Sequence, residues 1–259
     1  MTRRQLAAAL ALALAITAAP ARADGLADIK KAGVINVGVF EDFPPFSSVG
    51  TDMSLHGYDI DVAAALGKAL GVKTKLVAVT GQNRIAALQS HKVDILLSVG
   101  HSAEREKVID FTASYAPYYI AVIGPAATKV AGPADLAGKT IAVNRGTLED
   151  TSLTEAAPAS ADVRRFDNYN GVISAFLAGQ VQLIAVGNDV GSSILARAPN
   201  LAPEQKFQLM SSPDHIALNK DEPALHQALD EAVAAMKSDG SLNKLSEQWL
   251  KKPLDPKDL

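Results

Sequence analysis

Short apolar, β-branched runs alternate with amphipathic helical segments along nearly the whole chain, and this constrains the fold more than any other feature. The runs are VINVGVF (34–40), KLVAV (75–79), VDILLSV (93–99), YYIAVIG (118–124), KTIAVN (139–144) and VQLIAVG (181–187). Each is close to continuously apolar, the pattern of a strand covered on both faces. Between them lie DIDVAAALGKAL (59–70), QNRIAALQS (82–90), TLEDTSLTEAA (147–157), NGVISAFLAG (170–179) and EPALHQALDEAVAAMKSDG (222–240), which carry helical periodicity. Such alternation predicts an α/β protein with parallel sheets covered by helices. Several runs end in Gly or a small polar residue followed by a helix start, the position where open α/β sheets bind ligands. No internal repeat, low-complexity tract or long linker interrupts the pattern.

Residues 1–23 are read separately, as a secretory signal peptide. Arg3 and Arg4 precede the apolar stretch LAAALALALAITAA (6–19), and ARA (21–23) supplies small residues for cleavage after Ala23. As a helix that stretch reaches roughly 21 Å, short of a hydrocarbon core of about 30 Å. The arginine pair leaves both the general secretory and the twin-arginine routes open. The chain has no cysteine, which excludes a disulfide framework, a thiolate metal site and a lipidated cysteine. An exported chain without an anchor points to the periplasm, with secretion into the medium as the alternative. Removing residues 1–23 leaves 236 residues with 22 basic and 28 acidic groups, a net charge of −6. That balance offers no basic face to nucleic acid and fits a soluble monomer. A length of 236 residues accommodates two domains.

Four segments carry candidate chemistry. In EDFPPFSS (41–48), Pro44 and Pro45 stiffen the turn and present Phe43 and Phe46 rigidly, as pocket walls or core plugs. In GYDIDVAAALGKALG (57–71), Asp59 or Asp61 stands where a helix N-cap belongs. In TGQNRIAALQ (80–89), Arg84 opens a helix, where a positive charge is unfavourable unless something negative lies nearby. It is either a partner for a ligand acid group or a surface arginine paired to an aspartate. In SVGHSAEREKVIDF (98–111), Ser98, His101, Ser102 and Glu104 could be taken for a hydrolase cluster. Neighbouring residues project in different directions, however, and no G-x-S-x-G elbow is present. The better reading is an anion cradle of backbone amides from Ser98 to Gly100 with Arg105 as a bidentate donor.

The order PPF, GYDID, NRIAAL, KVDI, AEREKVIDF, RGT and DGSLNKLSEQWL resembles the periplasmic solute-binding proteins of polar amino-acid ABC importers, from about Gly33 to Leu250. The resemblance implies two Rossmann-like α/β lobes joined by a two-strand hinge, the type II periplasmic binding fold, with a ligand cleft between them. Residues 24–117 and 213–259 would form lobe 1, and residues 118–212 lobe 2. Carried over residue by residue, Arg105 matches the arginine that holds the ligand α-carboxylate, with Ser98 and Gly100 completing its hydrogen bonds. Gly100 stands where the family commonly has a threonine, so one hydroxyl is absent. Thr147 in VNRGTLED (143–150) matches a ligand-binding helix start. Asn188, with Asp189 as alternative, matches the acceptor for the α-ammonium. Arg84 matches an arginine that meets a side-chain carboxylate in glutamate/aspartate-binding members. The implied function is capture of a polar L-amino acid, with a lean to acidic ones, for an inner-membrane ABC permease, without cofactor or metal. The alternatives are a periplasmic enzyme on this fold, such as a cyclohexadienyl dehydratase using His101, or a sensing module. The roles of His101 and Arg145 stay open.

Overall fold

The computed structural model describes residues 24–197 and 202–259, so the signal-peptide reading of residues 1–23 falls outside the described part. Helix α1 (Gly25–Ala32) leads into β1 (Val34–Val39), a small antiparallel sheet of β2 (Asp42–Phe43), β3 (Ser47–Val49) and β4 (Leu55–His56), then α2 (Tyr58–Leu70) and β5 (Lys73–Ala78). Next come α3 (Arg84–Gln89), β6 (Ile95–Gly100), the single turn α4 (Ala103–Glu106) and β7 (Ile109–Ala116). The second lobe holds β8 (Tyr119–Pro125), β9 (Thr140–Asn144), α5 (Leu148–Ala156), β10 (Asp162–Phe166) and α6 (Tyr169–Leu177). It continues with β11 (Leu183–Gly187), α7 (Asn188–Arg197) and β12 (Pro203–Ser211). The chain then returns to the first lobe through β13 (Asp214–Asn219), α8 (Pro223–Ser238) and α9 (Ser241–Trp249).

Two five-stranded sheets result, ordered β5-β1-β6-β13-β7 and β10-β9-β11-β8-β12. The expectation of parallel sheets holds for β5-β1-β6 and for β10-β9-β11. The other pairings are antiparallel, and the two crossings explain why. Strands β1, β6, β9 and β11 deliver their C-terminal ends to the cleft. The chain enters each sheet at that same end, so β8 and β13 run away from the cleft, against their neighbours. Every residue of β6 and β11 is buried, as their unbroken apolar runs require. The strands absent from the apolar-run reading include β10 and β12, whose mixed exposure hides them.

The 222–240 segment packs its apolar stripe, with Leu225, Leu229, Val233 and Met236 buried, against the first lobe. The spacing of four, four and three residues keeps that stripe on one helix face. Gly240, at φ 76°, provides the left-handed corner from which α9 starts. The expected aspartate N-cap is not formed. Gly57 occupies the cap of α2 without a side-chain bond. Asp59 turns inward instead, and Asp61 accepts from the Trp249 indole N–H at 2.7 Å. No described helix is long and apolar enough to cross a membrane.

Candidate functional site

The C-terminal ends of β1, β6 and β9 converge where the lobes meet, and a cavity lies there. Phe43, Arg84, Ser98 and Gly100 line it from the first lobe, and Leu148, Glu149 and Tyr169 from the second. Tyr118 and Asp214, at the two crossings, complete it. Its volume is about 10 Å³, room for about one water molecule. The two lobes are therefore closed on each other.

Arg84 stands at the start of α3 and is 3% exposed. One of its terminal nitrogens donates to the Ser98 carbonyl at 2.8 Å, and the guanidinium lies 5.1 Å from the Phe40 ring centre. Its buried Nε has no hydrogen-bond partner among the described residues. The surface ion pair allowed as the alternative reading is thus not what the structure contains. Arg105 lies just behind the cavity wall rather than on it, donating to the Gly100 carbonyl at 2.9 Å. Burial, reinforced by the nearby Arg84 charge, lowers its pKa to about 9. Two guanidiniums that repel each other in a poorly solvated place favour an anion beside them.

Ser98 lines the cavity, but its donors are already engaged. Its hydroxyl donates to one Asp59 oxygen at 2.7 Å, and its N–H donates to the Tyr115 hydroxyl at 2.8 Å. Tyr115 in turn donates to the other Asp59 oxygen at 2.7 Å. This fixes Ser98 at φ 49°. Burial is the main cause that raises the Asp59 carboxyl to about 6, partly offset by the two hydroxyl donors. Ser98 is thus a positioned wall whose carbonyl holds Arg84, rather than a free donor as expected. Gly100 has a steric reason to lack a side chain. An added Cβ would lie 2.6 Å from Leu148 Cδ2 and 2.7 Å from Ser212 Oγ.

Phe43 is 2% exposed and packs across the cleft on the tilted ring of Tyr169, ring centres 4.6 Å apart. Phe46 lies beneath it at 5.1 Å and does not reach the cavity. Thr147 is fully buried at the cap of α5, its hydroxyl donating to the Asn144 carbonyl at 2.7 Å, and it does not line the cavity. Asn188 and Asp189 also lie outside it. Asn188 accepts from the Tyr119 N–H at 3.1 Å and donates to Asp189 at 2.8 Å. Asp189 faces Lys252 at 3.3 Å, so this pair ties the hinge to the C-terminal segment. His101 is surface-exposed, 3.5 Å from Glu106 and packed on Phe111, and Glu104 pairs with Lys107. No hydrolase alignment exists among them. Arg145 points outward to Asp167 at 3.4 Å.

The lining residues missed by sequence reasoning are Tyr118, Leu148, Glu149, Tyr169 and Asp214. Glu149, in the first turn of α5, is 3% exposed. One of its oxygens accepts from the Tyr118 hydroxyl at 2.6 Å and the Tyr169 hydroxyl at 3.0 Å. Burial and the Glu149 charge keep the Tyr118 phenol protonated as a donor. The only local signal for Glu149 was an acid placed favourably near a helix N-terminus. Tyr118 fills the space over Gly187, where an added Cβ would meet its ring at 2.1 Å. Tyr118, bonded to Glu149, thus takes the space that a side chain at position 187 would need.

Contacts between the lobes surround the cavity. The Asn170 N–H donates to Asp42 at 2.8 Å, and Gln82 donates to Asp167 at 3.1 Å. Gly81 and Gly146 meet backbone to backbone: an added Cβ on Gly81 would sit 2.4 Å from the Arg145 carbonyl oxygen.

Two lobes with a shared, charge-lined cavity are the architecture the resemblance implied, and the family model of the bacterial extracellular solute-binding proteins, family 3, matches residues 35–252. The chain belongs to this family. Among its relatives is the L-cystine-binding protein TcyJ of Escherichia coli K12, 29% identical over 85% of this chain and 84% of the relative. Another is the glutamate/aspartate import solute-binding protein of the same strain, 28% identical over 98% of this chain and 88% of that protein. A similar solved structure is that of an ancestral amino-acid-binding protein described as a precursor of cyclohexadienyl dehydratase. It has a TM-score of 0.79 and 30% identity, covering 86% of this chain and 98% of that one. The family's type II periplasmic binding fold, its amino-acid transport and its ABC-importer context therefore apply to this solute-binding protein.

Proposed function

We propose that this protein is exported to the periplasm, captures a polar L-amino acid between its lobes and delivers it to an ABC permease as a monomeric carrier. Lobe 1 comprises residues 24–117 and 213–259, and lobe 2 residues 118–212. The carrying observation is a closed cavity with opposite charges facing it from opposite lobes: Arg84, with Arg105 behind it, and Glu149. A zwitterion placed there bridges the lobes, and its extra contacts in the closed form are what draws the equilibrium towards closure. The α-carboxylate takes Arg105, which reaches it on opening and reclosure, and Arg84 is left for the ligand side chain. The α-ammonium takes Glu149, which lines the cavity, rather than Asn188 or Asp189, which do not. The lean to acidic amino acids rests on Arg84 and on the NRIAAL segment.

A thermal-shift screen against the common L-amino acids tests this. A micromolar ligand at millimolar concentration adds roughly 4 kcal/mol, and Arg105→Ala removes the shift. No shift with any amino acid overturns the proposal. A second reading, a dehydratase of cyclohexadienyl acids, draws on two buried carboxyl groups in the cavity and on the similar precursor structure. It would use Glu149 or Asp214 rather than His101. Turnover of such an acid would establish it.

A further inference from the structure

Asp214 opens β13 directly after the second crossing and pairs with both Gly100 and Ala116. It is 2% exposed and lines the cavity, and its buried Oδ2 has no hydrogen-bond partner among the described residues. Arg84 faces the same cavity with an unpartnered Nε, yet the two form no ion pair among the described residues. A buried carboxylate left without a partner is costly, whereas a protonated carboxyl group has one O–H to give. The surroundings decide between these forms. Asp59 on α2, Glu149 on α5 and Asp189 on α7 are negative, against Arg84 on α3 and Arg105 on α4. Tyr115 and Tyr118 are held as neutral phenols by burial. On its own strand, His215 turns the other way, bonded to the Thr112 carbonyl at 2.7 Å. Burial first, then the Asp59 and Glu149 charges, push the Asp214 carboxyl well above the usual carboxylate range.

We propose that Asp214 is a specificity residue that meets the ligand side chain as an uncharged carboxyl group, donating its O–H to a side-chain oxygen. Arg84 and Asp214 then act as two donors directed at one acceptor. The ligand class is an amino acid with a carboxylate or amide side chain, and a cationic side chain is rejected. The inference rests on the amino-acid-carrier reading. It goes beyond that reading by giving the side-chain selection to a residue of the hinge crossing.

Titration calorimetry with L-glutamate, L-glutamine and L-arginine tests it. Glutamate or glutamine should bind the wild type at least about tenfold more tightly than arginine, because a site built to donate leaves its donors unmet otherwise. Glutamate affinity should weaken with rising pH in the wild type as the Asp214 proton is lost. In Asp214→Asn that dependence should flatten. Asp59 and Arg105 are present in both proteins, so the difference between the two profiles reports on Asp214. Tighter binding of arginine, a ligand without a side-chain oxygen, or identical pH profiles in both proteins overturns the inference while leaving the carrier reading intact. No binding of any amino acid overturns both. If Asp214→Asn does not fold, the wild-type rank order alone decides.

Discussion

Closure of the two lobes brings Gly81 against the backbone at Arg145–Thr147, and this contact permits a test that separates closure from folding. In Gly81→Ala the new Cβ would lie 2.4 Å from the Arg145 carbonyl oxygen, 2.9 Å from Thr147 Cγ2 and 3.4 Å from the Thr147 nitrogen. Two of these atoms are backbone, so no side-chain rotation relieves the overlap, and Gly146 opposite, at φ 75°, is itself only 3.0 Å from Gly81 O at its own would-be Cβ. The lobes must stand apart by a good fraction of an ångström. Overpacking of this kind costs about 1–3 kcal/mol. Borne by the closed form alone, it weakens ligand affinity by about 5- to 150-fold. With the lobes apart the contact would be absent, so folding stability should hold. Calorimetric affinity for the tightest amino acid found in the screen, alongside thermal unfolding without ligand, reads the two separately. An affinity within about twofold of wild type would refute the reasoning. So would an unfolding temperature that falls in step with the affinity, because the contact would then belong to the fold and not to closure.

Three further outcomes follow from the cavity. Glu149→Gln removes the carboxylate that accepts from Tyr118 and Tyr169. It should weaken amino-acid binding by about 10- to 100-fold, since a charged hydrogen bond is lost, and calorimetry checks it. Asp59 binds a proton more tightly when folded, near 6 against the usual 3.8. Its contribution therefore favours the fold at low pH and is lost as pH rises through that window, on the order of 3 kcal/mol. Denaturant titrations of wild type and Asp59→Asn between about pH 4 and about pH 7 should show a shallower slope in the variant. His101→Ala should change neither affinity nor any turnover, because the imidazole sits outside the cavity. A loss of either on titration or assay would return His101 to the cleft.

The central strands of both sheets were legible because burial on both faces leaves an unbroken apolar run, a local property of five to seven neighbouring residues. Arg84, Phe43 and Gly100 were legible as wall residues for a related reason: they follow the ends of such runs, where α/β sheets open. The role of Ser98 was misread because its hydroxyl and amide find Asp59 and Tyr115, 39 and 17 positions away. A strand-end serine gives no hint of that distant pairing. The family resemblance pointed to Asn188 or Asp189 for the ammonium, yet Tyr118 fills the space over Gly187 and Lys252 pairs with Asp189.

By itself, the sequence determined the α/β class, the alternation that builds two lobes and the family. These depend on periodicity and on ordered local motifs, which survive without knowledge of any distant contact. Only the tertiary structure decided the cavity's chemistry. Tyr118, Glu149, Tyr169 and Asp214 come from four separate segments and meet only when the two crossings and the closed lobes bring them together. The physical reason is that a carboxyl group's partners and protonation depend on burial and on neighbouring charge, and both are set by through-space packing rather than by position along the chain.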